Sequence, residues 1–155
     1  MADREWSEWA SFTEGIAKAP RTPGVYMIRR AGVPEVVYIG SAGERSGSGS
    51  PQGLHGRLRV YASGKAAVSG LGEAVLDRAV ADVDWLRARL AEVEAGSPRR
   101  AKDWSKLAME WADLEIRWTT TSSKAAAEAL ENELIAGRFG LWNRRRTVVV
   151  RLEEP

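Results

Sequence analysis

The stretch GVYMIRRAGVPEVVYIG, residues 24–40, constrains the fold more than any other part of the chain. It contains two runs of β-branched and aromatic residues separated by an Ala-Gly-Val-Pro break. This pattern predicts a β-hairpin with strands over residues 25–30 and 36–39. If a three-residue loop closes the hairpin, Tyr26 and Tyr38 lie directly opposite each other on one face of the sheet. A shift of one residue would place the two phenols on opposite faces.

The rest of the chain alternates between helical and extended patterns. Helices are predicted over residues 5–18, 51–62 and 125–138, the last capped by Ser122 or Ser123. A strand is predicted over residues 114–121, where the pattern has period two, and a late edge strand over residues 148–150. A helical pair lies between them, and the stripe of its first helix is formed by Val75, Ala79, Val83, Leu86, Leu90 and Val93.

These elements predict one α/β (α+β) domain over residues 1–155. Its core is a small, mixed, three-stranded sheet flanked by helices, and the helical pair at about residues 66–112 is an insertion into it. A length of 155 residues is sufficient to bury a core of this kind.

Composition excludes several classes of function. The chain has no cysteine and one histidine, so thiolate catalysis, zinc–thiolate sites and two-histidine metal sites are excluded. No run approaches the roughly 18 apolar residues of a membrane span, and the N-terminus lacks the pattern of a secretory signal. We therefore expect a cytoplasmic protein with no membrane partner.

The positive charge is unevenly distributed. The net charge is only +2, but residues 18–69 hold eight Lys and Arg against two acids. A second basic group, Arg144–Arg146, either grips phosphates or simply solvates the chain. The excess around the tyrosine hairpin favours a polyanionic partner.

Six polar residues could perform chemistry in apolar surroundings: Tyr26, Tyr38, Arg57, Tyr61, Glu131 and Asn143. On its own pattern, Glu131 is either a solvated surface group or an inward-pointing ligand. Phosphodiester cleavage needs an activated water and a counter-charge for the phosphoryl group. One carboxylate can hold a Mg²⁺ ion that keeps most of its waters, and an arginine can hold the phosphate.

The sequence resembles the GIY-YIG nuclease superfamily. "GVY" at residues 24–26 stands for the first motif, with Val for Ile, and "YIG" at residues 38–40 is the second motif unaltered. "GLHGRLRVY" at residues 53–61 contains the arginine of the first core helix, and "LENELI" at residues 130–135 the glutamate. "LWN", which ends at Asn143, contains the asparagine.

The resemblance implies a role for each matched residue. Tyr26 is the general base or a phenol that orients water, and Tyr38 supports it. Arg57 stabilises the scissile phosphate and Glu131 binds one Mg²⁺ or Mn²⁺ ion. Asn143 braces the fold beside the site. Many members carry a histidine one helical turn after the arginine, where this chain has Tyr61.

Taken together, the residues and the resemblance predict a Mg²⁺-dependent endonuclease that hydrolyses DNA, in restriction, repair or defence, with RNA left open as a substrate. The alternative is a non-catalytic nucleic-acid-binding module that keeps the nuclease scaffold. One site per chain predicts a homodimer or sequential nicking. The basic side chains expected to contact nucleic acid are His55, Arg59, Arg45, Arg144, Arg145 and Arg146.

Overall fold

The computed structural model describes residues 3–44, 52–68 and 70–143. The strands in these ranges are β1 (Ala10–Ser11), β2 (Gly24–Arg30), β3 (Val36–Ala42) and β4 (Leu114–Thr120). The helices are α1 (Phe12–Lys18), α2 (Gly53–Ala62), α3 (Gly70–Val80), α4 (Val83–Glu94), α5 (Ala101–Ala112) and α6 (Lys124–Ile135). Among the described residues, no helix combines the length and apolarity needed to span a bilayer.

The strands form one sheet in the order β1-β4-β2-β3. Every described pairing is antiparallel, so the predicted mixed sheet is wrong, although the mixed α/β class is confirmed. The predicted count of three strands is also wrong, because the short strand β1 pairs with Glu115 and Ile116 of β4. The predicted helix over residues 5–18 begins only at Phe12, where the Ser11 side chain accepts a hydrogen bond from the Glu14 amide.

Side-chain alternation gives the sheet two covered faces. Tyr26, Ile28 and Tyr38 pack in one apolar cluster with buried residues of α2, α3 and α5. Val25 and Ile39 point the other way and pack with buried residues of α6. Because a strand presents alternate residues to opposite faces, this division follows directly from the period-two pattern.

The helical segment between α2 and β4 differs from the prediction. The stripe that starts at Val75 breaks at Asp82, whose side chain accepts a hydrogen bond from the Trp85 amide at 2.8 Å and caps α4. The predicted helical pair is therefore three helices, α3, α4 and α5. Val75 is fully buried in the cluster that holds Tyr26, whereas the later stripe residues are exposed, namely Val83, Leu86, Leu90 and Val93.

A stack of tryptophan and arginine side chains holds the N-terminal segment against the sheet. The Arg117 guanidinium lies between the rings of Trp6 and Trp9, at 5.0 and 4.9 Å from their centroids. The Arg29 guanidinium also lies against Trp9, 4.2 Å from the centroid of its ring, and forms an ion pair with Glu115 at 2.6 Å. Together with the Ser7 amide, which donates to the Trp118 carbonyl at 2.8 Å, these contacts hold the segment before β1 against β4 without a helix.

Replacing Arg117 with Ala should therefore lower the free energy of unfolding by about 1–3 kcal/mol, because two cation–π contacts and a buried aliphatic stem are lost. Urea unfolding measures the change. Arg87→Ala, on the exposed side of α4, is the control and should leave the midpoint nearly unchanged. Equal midpoints for both variants would show that the stack does not stabilise the fold.

Candidate functional site

The register of the β2–β3 hairpin places Tyr26 opposite Gly40 and Tyr38 opposite Ile28. The predicted direct pairing of the two tyrosines is wrong by two residues, because the connecting loop covers residues 31–35 and the register shifts beside Ile28. A shift of two preserves the face, so the prediction that both phenols share one face is confirmed. Their rings stack with centroids 6.3 Å apart and planes at 18°.

The glycine of the second motif is required by the tyrosine of the first. A Cβ atom on Gly40 would overlap the Tyr26 hydroxyl group, so only a glycine lets this ring lie across β3. Gly24 is restricted in the same way, because a Cβ atom there would overlap the Thr119 carbonyl oxygen of β4. The GVY and YIG motifs therefore pack directly against each other, through Tyr26 of the first and Gly40 of the second.

A third phenol joins the pair from α2. The Tyr61 and Tyr26 hydroxyl oxygens are 3.0 Å apart, and their rings meet edge to face at 63°. Gly70, the first residue of α3, covers this group with a positive φ of 53°, and a Cβ atom there would lie 2.6 Å from the Tyr61 hydroxyl. All three tyrosines of the chain therefore converge beneath one exposed glycine.

Burial controls the acidity of this cluster. Tyr26 is 1% exposed and Tyr38 is 8% exposed. Burial raises the pKa of the Tyr26 phenol well above its ordinary value, and Tyr61 and Tyr38 raise it further. Burial also raises the pKa of Tyr38, with additional contributions from Tyr61 and from the Glu131 carboxylate. Arg57 acts in the opposite direction on both phenols.

Alkaline titration should report this cluster alone, since the chain has no other tyrosine. In urea, tyrosinate absorbance should rise around pH 10, the ordinary value for a phenol. In the native protein we expect at least two of the three phenols to titrate later. Because their pKa values are raised in the folded state, their contribution to stability is present below pH 10 and is lost as the pH rises further. Coincident native and urea titration curves would contradict this.

Arg57 projects from α2 as an exposed side chain, and no ion pair involves it in the described part of the chain. It acts on Tyr26 and Tyr38 through its charge. His55, on the same helix, lies elsewhere: its Nδ1–H donates to the Ile16 carbonyl at 2.9 Å and ties α2 to α1. Arg59 is exposed.

Glu131 approaches from the other face of the sheet, on α6. Its carboxylate accepts a hydrogen bond from the Ser41 hydroxyl in edge strand β3 and is close enough to Tyr38 to raise the pKa of that phenol. Glu131 therefore bonds the edge strand β3 from the α6 face, while Tyr38 lies on the opposite face of the same strand. Sequence reasoning missed Ser41, although its place directly after the YIG motif on the α6 face could have identified it.

Asn143 braces the same edge strand. Its side-chain oxygen accepts from the Ile39 amide at 3.1 Å, and its Nδ2 donates to the Ile39 carbonyl at 2.6 Å. The neighbouring Trp142 amide donates to the Val37 carbonyl at 2.6 Å. These bonds pair backbone groups of Val37 and Ile39 on the outer edge of β3.

Several predicted residues lie outside the described ranges. They are Arg45 and most of the Gly/Ser loop, the basic group Arg144, Arg145 and Arg146, and the predicted strand over residues 148–150.

The residues present fit a cation held by one carboxylate and not a multi-carboxylate centre. In the described ranges no group of three or more His, Cys, Asp or Glu side chains could hold a metal ion. Glu131 uses one carboxylate oxygen for Ser41, and the other oxygen would be the one to coordinate a cation. Mg²⁺ accepts such a site because it commonly keeps several of its own waters.

Comparison with known proteins gives no relative: no protein-family model, no curated protein and no solved structure matches this chain.

Proposed function

We propose that this protein is a metal-dependent endonuclease that hydrolyses phosphodiester bonds of DNA. One observation carries the proposal: Glu131 is hydrogen-bonded to β3, the strand that carries Tyr38, and the charges of Glu131 and Arg57 both act on the Tyr38 phenol. These three side chains come from β3, α2 and α6, far apart in sequence, and a phenol, a guanidinium and a carboxylate are the groups that such a hydrolase needs.

The reaction adds water to phosphorus and breaks the bond to one ester oxygen, which leaves with a proton. Arg57 is exposed and without an ion pair in the described residues, so it is available to bind the non-bridging phosphoryl oxygens. A Mg²⁺ or Mn²⁺ ion bound at Glu131 would neutralise the charge that develops on the phosphoryl group.

Tyr26 fits the role of a neutral phenol that orients water better than that of a base. Its raised pKa keeps the proton on the hydroxyl at neutral pH. Tyr61 stands where the resembled family has a histidine, and its hydroxyl is hydrogen-bonded to the Tyr26 hydroxyl at 3.0 Å, which holds the Tyr26 oxygen in place. We assign Tyr61 this positioning role.

Ser41 positions the carboxylate of Glu131. Ser41→Ala removes that hydrogen bond, and loss of a group that orients a metal ligand typically weakens metal affinity by about 10- to 100-fold. We expect a shift of this size in the Mn²⁺ concentration that half-saturates the protein, measured by calorimetry, with an unchanged fold. Ser41→Thr keeps the hydroxyl and is the control. Equal affinities for the Ala and Thr variants would exclude the role.

The direct test is incubation of supercoiled plasmid with purified protein, with Mg²⁺ and with EDTA. We expect relaxation or linearisation of the plasmid with Mg²⁺ and not with EDTA. We expect no comparable cleavage of single-stranded DNA or RNA. A double-strand break would further require a second copy or two successive nicks, because each chain carries one candidate site. Persistent absence of cleavage over plasmid, single-stranded and modified DNA would overturn the proposal.

One observation favours the alternative, a nucleic-acid-binding module that keeps the scaffold without catalysis. Tyr26 is 1% exposed, so its hydroxyl cannot touch a substrate unless the residues above it move. Under that alternative, plasmid would shift in a gel equally with Mg²⁺ and with EDTA and would stay supercoiled.

A further inference from the structure

Two arginines contact one tryptophan beside the C-terminal end of β2, the strand that carries Tyr26. The Arg78 guanidinium of α3 lies 4.3 Å from the centroid of the Trp142 ring, and that of Arg30, the last residue of β2, lies 5.3 Å from it. Arg30 also lies 5.5 Å from the ring of Trp111 on α5. All four side chains are half-buried.

No carboxylate of the described residues lies within ion-pair distance of either guanidinium, although Asp77 acts on Arg78 through its charge. Arg78 donates one hydrogen bond to the Ala74 carbonyl at 2.9 Å. The Nε atom of Arg30 is buried and has no hydrogen-bond acceptor. A buried donor without an acceptor costs free energy, and the described residues supply no acceptor to this one.

The two positive charges also act on each other. Burial lowers the pKa of Arg78, nearby Asp77 partly restores it, and Arg30 lowers it again. Two half-buried like charges beside one indole repel each other, and a bound anion would offset that repulsion. A phosphate group suits the position, because arginine donates to phosphate oxygens in a two-pronged geometry and Arg78 donates only one hydrogen bond among the described residues.

We propose that Arg30 and Arg78 together bind one backbone phosphate of the nucleic acid, away from the scissile bond. The identity of the polymer rests on the proposed function; the anion site itself does not. Arg30 is on the same sheet face as Tyr26, four residues and roughly 13 Å further along β2. Arg78 is eight residues and roughly 12 Å along α3 from Gly70, which covers the tyrosines. At one phosphate per 3.4 Å of helix axis, these distances correspond to roughly three to four nucleotides.

The test compares Arg30→Gln and Arg78→Gln with Arg87→Gln, which removes the same charge from an exposed site on α4. A fluorescent 12-nucleotide DNA duplex and inorganic phosphate are the two probes, both used in EDTA so that no cleavage occurs. Each site variant should weaken duplex binding about tenfold and reduce the slope of log affinity against log salt by about one. Arg87→Gln should change neither.

Inorganic phosphate should raise the melting temperature of the wild-type protein and should do so less in either site variant, since a ligand stabilises the state that binds it. This second readout remains informative if one variant folds poorly. Wild-type duplex affinity in both site variants would overturn the proposal, as would an equal loss in Arg87→Gln. If the substitutions weaken stabilisation by inorganic phosphate but leave duplex binding unchanged, the site binds free anions and the proposal that it binds nucleic acid is overturned.

The experiment also separates this site from the proposed function. If plasmid is never cut but the duplex still binds through Arg30 and Arg78, the nuclease proposal fails and the phosphate site stands. If plasmid is cut and neither variant changes binding, the nuclease proposal stands and the phosphate site fails.

Discussion

Replacing Glu131 with Gln should abolish metal-dependent cleavage and leave the fold intact. Glutamine has the same shape, and its amide oxygen can still accept the Ser41 hydrogen bond, so the contact between α6 and β3 is retained. What disappears is the negative charge needed to hold a divalent cation. A metal contributes several kcal/mol to the stabilisation of a phosphoryl transition state, so cleavage should fall about a thousandfold or more. Plasmid cleavage rates at saturating Mg²⁺ measure the loss.

Glu128→Gln is the matched control. Glu128 lies one helical turn before Glu131 on α6, is exposed and pairs only loosely with Lys124, at 3.6 Å. This variant loses the same charge from the same helix, and its cleavage rate should stay near that of the wild type. Cleavage by pure Glu131→Gln protein at a comparable rate would remove Glu131 from the site.

Tyr26→Phe should reduce the cleavage rate far more than it reduces DNA binding. The hydroxyl is assigned to orient the attacking water, and losing a positioned group of this kind typically costs about 100- to 10,000-fold in rate. The ring still fills its place over Gly40, so affinity should change little. Stability should fall by about 1–3 kcal/mol, because the Tyr61 hydroxyl is left in the core without its partner. Single-turnover rates, gel-shift affinities and urea unfolding measure the three quantities.

Tyr61→Phe breaks the same hydrogen bond from the other side and is the comparison for Tyr26→Phe. The two variants should lose similar stability, but Tyr61→Phe should lose less rate, because Tyr61 acts through Tyr26. Unchanged turnover in Tyr26→Phe would show that this phenol is a packing residue. Equal rate losses would contradict a separate role for Tyr26.

The local features of the chain were largely predictable. Runs of β-branched and aromatic residues around a Gly/Pro break located β2 and β3, and the period-two pattern located β4. A serine before an alanine-rich run predicted the cap of α6, which is Ser123. These features depend on neighbours in sequence, through residue type and capping. The shared face of Tyr26 and Tyr38 was predicted from an assumed loop length, and it was retained because the actual register differs by an even number of residues.

Contacts between distant segments were not predictable. The register of the hairpin depended on a five-residue loop. The segment before β1 is not helical and contacts the sheet through Arg117 and Arg29, which lie against Trp6 and Trp9. The bond between Ser41 and Glu131 and the pair of arginines around Trp142 likewise join elements that no local pattern relates.

The sequence alone determined which residue types this protein can use for chemistry: three phenols, many arginines, few acids near the hairpin, and no thiol. It also determined that successive residues of a strand point to opposite faces of the sheet. Only the tertiary structure decided that the phenols converge beneath Gly70 and that Glu131 bonds the edge strand that carries Tyr38. The physical reason is that alternation and capping are set within a few residues, whereas edge position and depth of burial depend on how whole elements pack.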